Sequence, residues 1–142
     1  MISRRSFLAA LAAFLATPAF AEAPHTPAPG TPERKAIADA MRKVLRKAFG
    51  EPDAEFIFVF RTLRVQGEWA WAEAEPQRVG GDEGRFEGVT FLLRKASADW
   101  RVAETLPDDV AAADEPGKAM RAWLKSIEAK YPKLPKGVLP TR

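Results

Sequence analysis

The most constraining stretch of the chain runs Glu55-Phe-Ile-Phe-Val-Phe-Arg-Thr-Leu-Arg-Val65, then Gln66-Gly67, then Glu68-Trp-Ala-Trp-Ala-Glu-Ala-Glu75. It is free of proline and rich in β-branched and aromatic residues, which favour extended backbone. Gln66-Gly67-Glu68 turns the chain back, so the segment predicts a β-hairpin that supplies much of a core. In the first strand Phe56, Phe58 and Phe60 share one face. Ile57, Val59, Leu63 and Val65 share the other, interrupted by Arg61. Both faces are apolar at the start, so this end is expected to be covered on both sides. In the second strand Trp69 and Trp71 alternate with Ala70, Ala72 and Ala74. The alanine face predicts close packing, with the first helix as its partner. The tryptophan face either lines a concavity or packs beneath a C-terminal helix.

The flanking elements follow from periodicity and breakers. Thr31 is placed to cap a helix with Pro32 in its first turn and Glu33 against the helix dipole. Ile37, Met41, Val44, Leu45 and Ala48 fall on one stripe, and Gly50 and Pro52 end the helix. Arg34, Lys35, Arg42, Lys43, Arg46 and Lys47 occupy the remaining faces, read first as a solvated outer surface, with contact to an acidic partner or anionic lipid as the alternative. Residues 76–84 hold Pro76, Gly80, Gly81 and Gly84 and predict a hairpin loop. No phosphate-cradle motif follows its glycines, and Asp82 and Glu83 are too few oxygen ligands for a calcium loop.

Residues 85–96 predict a third strand, with Val89, Phe91 and Leu93 on one face and Phe86, Thr90 and Leu92 on the other. Ser97-Ala98-Asp99 turns the chain into a short fourth strand bearing Trp100 and Val102 on one side. An irregular connection leads to a last helix opened at Asp114 or Glu115 with Pro116. Its stripe is Met120, Trp123, Leu124, Ile127 and Tyr131, and Pro132 ends it. The tail 132–142 is expected to lie extended along the domain.

Residues 1–21 have the layout of an export signal. Arg4 and Arg5 form the charged start, and an apolar core of residues 7–20 is too short to span a hydrocarbon layer about 30 Å thick. Ala19 and Ala21 supply the small residues read by signal peptidase, so cleavage is expected after Ala21, leaving a periplasmic or secreted protein with no stable membrane span. Ser3-Arg4-Arg5-Ser6-Phe7-Leu8 resembles the twin-arginine motif, a general secretory signal being the alternative. The export machinery is thus one expected partner. Residues 22–30 form a proline-rich linker, expected to be extended and disordered, with His25 solvated within it. A single domain is expected over 31–131.

Composition narrows the chemistry. The chain has 142 residues, no cysteine, one histidine and a formal charge of +3. Two of those positive charges are Arg4 and Arg5, so the remainder is nearly neutral and offers no nucleic-acid footprint. Disulfides, thiolate nucleophiles, histidine-based metal sites and Ser-His catalysis are excluded by inventory, and no cofactor is expected. The carboxylate pairs Glu73 with Glu75, Asp82 with Glu83, and Asp108 with Asp109 remain for acid–base work, though each reads more readily as surface charge. Candidate ligand-binding residues are Trp69, Trp71, Glu73, Arg78 and Phe86, which would serve a small ligand or a periplasmic protein.

The order helix, four sequential strands, helix implies an α+β domain on an antiparallel meander. With the Gly67-Glu-Trp-Ala-Trp71 strand and the Phe91-Leu-Leu-Arg-Lys95 strand turning into Asp99-Trp-Arg-Val102, it resembles the cystatin-like and NTF2-like folds over about residues 31–105. The scarcity of opening helices favours the cystatin-like variant. The resemblance carries no catalytic residue across. It leaves two functional expectations: a non-catalytic exported binding or interaction domain, or an NTF2-like pocket enzyme with Glu73 or Asp82 as its base.

Overall fold

A computed structural model of the protein describes residues 22–80 and 87–141. Helix α1 (Pro32–Phe49) leads into strands β1 (Phe56–Gln66), β2 (Trp69–Arg78), β3 (Val89–Ala96) and β4 (Asp99–Thr105). The one-turn helix α2 (Asp108–Ala111) and helix α3 (Pro116–Lys130) follow. The strands form one antiparallel sheet in the order β1-β2-β3-β4, so the domain is α+β with a meander at its centre. The short α2 lies within the connection expected to be irregular. The export signal at 1–21 lies outside the described residues, as do Asp82, Glu83 and Phe86.

Helix α1 begins and ends where its cap chemistry puts it. The Thr31 hydroxyl accepts from the Arg34 N–H, Pro32 occupies the first turn, and Gly50 takes the left-handed conformation at φ 63° that closes the last turn. Its Ile37, Ala38, Met41 and Leu45 are buried, whereas Val44 is half-buried and Ala48 exposed, so the apolar stripe is shorter than its spacing suggests. The stripe packs on Ala70, Ala72 and Ala74 of β2 together with Phe56, Leu63, Val65, Phe91, Leu93 and Trp100. The alanine face shares this core, as expected, but the helix comes nearest the sheet at β4.

Strand β1 departs from simple alternation. Phe60 pairs with Ala74 but Thr62 pairs with Glu73, which leaves Arg61 as an extra residue in a β-bulge. The inserted residue reverses the parity of the strand. Leu63 and Val65 therefore join Phe56, Phe58 and Phe60 on the α1 side. Ile57 and Val59 stay on the opposite face at 50% and 48% exposure, so the start of β1 is covered on one side and not on both. Arg61, set outward by the bulge, pairs with Glu75.

The opposite face of the sheet carries a second core. Trp69, Trp71 and Leu92 pack against Trp123, Leu124 and Ile127 of α3, with Val138 and Leu139 of the tail closing the cluster. The tail folds through turns where an extended path was expected, because burying Val138 and Leu139 against the sheet requires it to curl back. The Arg64 guanidinium donates to the Leu139 carbonyl at 3.0 Å and anchors this return. A second irregularity lies between Leu92 and Leu93, where Ala103 is extra and Glu104 comes to oppose Leu92. The sheet is thus the middle layer of three, with α1 on one side and α3 with the tail on the other.

Candidate functional site

The tryptophan face resolves to the second of its two expected roles. Trp71 has no exposed surface and Trp69 retains 5%. The Trp71 ring lies 5.7 Å from Trp123, and Trp69 meets Tyr131 edge-on at 5.0 Å. Edge and tilted contacts at these separations are the favourable arrangements of aromatic rings. The buried indole of Trp71 satisfies its N–H by donating to Glu73 Oε1 at 2.7 Å. Trp100 and Trp123 are also core residues, one on each side of the sheet.

The other candidates are dispersed. Glu73 is half-buried at the border of the α3 layer, with one carboxylate oxygen holding the Trp71 indole. Arg78 stands at the far end of β2, where it pairs with Glu51 and lines a shallow hollow with Pro52, Asp53 and Ala54. From Trp69, opposite Gln66, to Arg78, opposite Phe56, the strand runs its full length, about 30 Å at the usual rise per residue. These residues do not converge on one ligand. Of the carboxylate pairs, Glu75 is engaged with Arg61, and Asp108 and Asp109 lie exposed on α2. No group of three or more His, Asp and Glu side chains among the described residues is disposed to hold a metal ion.

The basic face of α1, read first as solvated and otherwise as a contact for an acidic partner or anionic lipid, has more shape than a plain outer surface. Between α1 and β4 runs an open groove of about 790 Å³. Ala36, Ala40 and Val44 line its helix side and Trp100 and Val102 its strand side, all packed on the core beneath. Lys43 and Lys47 stand on the helix wall, and both also line an adjoining hollow of about 600 Å³ with Arg46, Gly50 and Pro52. Asp39 sits between Lys35 and Arg42, accepting at 2.8 and 2.7 Å. The Lys35 hydrogen bond foremost, with the charges of both partners, holds the Asp39 carboxyl below the usual range. Lys43 and Lys47 are exposed and form no ion pair among the described residues. The helical spacing of the two lysines was visible in the sequence. Their position against an edge strand depends on the sheet order and was not.

The proline-rich segment is extended as expected, but it is docked. His25 N–H donates to the Val65 carbonyl at 2.8 Å, and Val65 N–H donates back at 2.7 Å. The imidazole is 2.8 Å from Glu33 of α1 and 3.7 Å from Glu22. Pro27, at the next bonding position, lacks the N–H to continue the ladder on that side. The Glu33 hydrogen bond, with the charges of Glu33 and Glu22, outweighs desolvation and raises the His25 pKa above its ordinary 6.5. A raised histidine pKa stabilises the docked segment fully below the unfolded value, and this contribution is lost as pH rises through the folded one. Amide exchange at His25 and Val65 is therefore expected to quicken as pH rises above 6.5, beyond its intrinsic pH dependence. His25→Gln should remove that excess, and an NMR titration should place the imidazole above 6.5.

Glu104, turned toward α3 by the second bulge, accepts from the Tyr131 hydroxyl at 2.7 Å and from Lys130. Burial opposes its ionisation, but these two donors together hold its carboxyl below the ordinary range. Burial, and then the bond to Glu104, raise the Tyr131 hydroxyl. The cluster ties the end of α3 to β4.

No protein-family model matches the chain, and no curated protein or solved structure shows significant similarity to it.

Proposed function

We propose that the protein is an exported, non-catalytic interaction domain that works in the periplasm or outside the cell, and that its binding surface is the α1–β4 groove. One observation carries the reading. All four tryptophans are consumed by two cores, whereas Lys43 and Lys47 form no ion pair among the described residues and stand beside a groove with apolar walls. The cystatin-like resemblance accords with this use, since it brings no catalytic residue. The alternative pocket enzyme has less support, because Glu73 spends a carboxylate oxygen on a structural indole. Binding is tested by capture with the purified chain, comparing wild type with K43E/K47E. A partner retained by wild type and lost from the variant supports the reading; identical capture by both removes the groove from it.

The address is tested separately. With Arg4 and Arg5 both replaced by lysine, the twin-arginine reading expects the precursor to accumulate in the cytoplasm while charge is unchanged. Fractionation and blotting read this directly. Undiminished export would assign the leader to the general secretory route.

A further inference from the structure

We infer that the α1–β4 groove takes an extended, acidic segment of a partner protein, which adds as a fifth strand to the free edge of β4. This rests on the groove being the binding surface and names what fills it.

Strand β4 ends the sheet, so among the described residues one side of its backbone is without a neighbouring strand. Which groups face outward follows from the hairpin. Ser97 and Ala98 connect Ala96 to its opposite residue Asp99, and Lys95 opposes Trp100. The Lys95 N–H is donated to the Glu68 carbonyl at 2.7 Å, toward β2 and away from β4. In an antiparallel ladder, the residue opposite one that points away also points away. The backbone groups of Trp100 therefore face outward, and those of Val102 do so by the same alternation. Both residues line the groove. An incoming strand would find hydrogen-bonding groups at alternate residues on one wall and the helix α1 as the other. Extended peptides bind many domains in this way, with backbone bonds giving affinity and the flanking surface giving selectivity.

Charge sets the selectivity. Lys43 and Lys47 are one helical turn apart on the same side of α1, and on the strand side the charges of Arg101 and Asp99 offset one another. Asp39 is already held by Lys35 and Arg42, which leaves Asp99 as the other carboxylate of the lining. The groove thus offers an excess of positive charge above a floor of Ala36, Ala40 and Val44. A strand alternating Asp or Glu with small apolar residues is complementary to it. An anionic bilayer is a poorer match. The groove is recessed. Of the exposed large apolar side chains, Ile57 and Val59 lie on β1 and Val79 just past β2, while Phe49 at the end of α1 packs its ring on Phe56 at 5.9 Å.

The test is selection of random decapeptides on the purified chain, followed by affinity measurement with wild type and K43E/K47E. Both lysines are exposed and unpaired among the described residues, so the variant is expected to fold with an unchanged melting temperature. The expected result is enrichment of alternating acidic and apolar sequences whose affinity falls at least about tenfold in the variant. N-methylating alternate peptide amides should abolish binding in one register and spare it in the other, as strand addition requires. Selected peptides that bind the variant equally well would overturn the acidic-strand inference and leave an interaction domain with another site. Peptides indifferent to amide methylation in both registers would also overturn it. Failure to select any peptide, with lysine-dependent binding to phosphatidylglycerol vesicles, would replace it with a lipid surface. Failure of both probes, with no partner retained in the capture experiment, would remove the interaction reading itself.

Discussion

Trp71→Ala is expected to destabilise the domain by about 3–5 kcal/mol, the usual cost of deleting a fully buried large aromatic. The residue has no exposed surface, contacts the Trp123 ring across the α3 interface and gives its indole N–H to Glu73. The loss is comparable to the total stability of many single domains, so much of the chain should be unfolded near physiological temperature. Urea denaturation followed by far-ultraviolet circular dichroism reads the shift. Trp71→Phe is the control, since it keeps most of the apolar area and gives up the bond to Glu73; a loss of about 1–2 kcal/mol is expected. If Trp71→Ala left the midpoint unchanged, the indole would be free for a ligand and the second core would not exist as described.

Truncation after Tyr131 is expected to have the second largest effect. The tail looks dispensable in sequence, with prolines at 132, 135 and 140 and no helical period. In the structure Val138 has no exposed surface and Leu139 retains 5%, both packed among Trp69, Trp71 and Leu92. Returning two such side chains to water costs about 1.5–3 kcal/mol each, before the exposed indoles are counted. Arg64 also loses its acceptor at the Leu139 carbonyl. The truncated chain should show a lower urea midpoint and red-shifted tryptophan emission. An unchanged midpoint would reduce the tail to an ornament on the surface.

These two cases mark where the sequence was legible and where it was not. Helix α1 could be read nearly to the residue, because Thr31, Pro32 and Gly50 are local signals whose effect does not depend on the rest of the fold. The β1–β2 hairpin was equally readable, with Gly67 at φ 58° in the two-residue turn. The alanine stripe of β2 marked the face that α1 covers, but not that the helix would lie nearest β4. Alternation broke down at Arg61, where a bulge moved Leu63 and Val65 to the other face and left Ile57 and Val59 exposed. A bulge is decided by the pairing of two strands, and no single-strand pattern contains it. The docking of His25 on Val65 is likewise a tertiary event, since proline-rich composition speaks only to local stiffness.

The candidate site was the least legible part. Tryptophan concentration marks a core and a binding face alike, and what separates them is whether α3 covers Trp69 and Trp71. The groove lysines were visible as helix-surface charges, but their meaning depends on β4 being the edge of the sheet. That order comes from two successive hairpins and not from any residue of α1.

The central claim is that the four tryptophans are structural and lie in two shielded layers. Acrylamide quenching of tryptophan fluorescence tests it most directly. With Trp69, Trp71, Trp100 and Trp123 all buried, quenching of the native chain should be weak and should rise to the free-indole level only across the urea transition. Native quenching close to that of the unfolded chain would show the tryptophan face open to solvent and contradict the account.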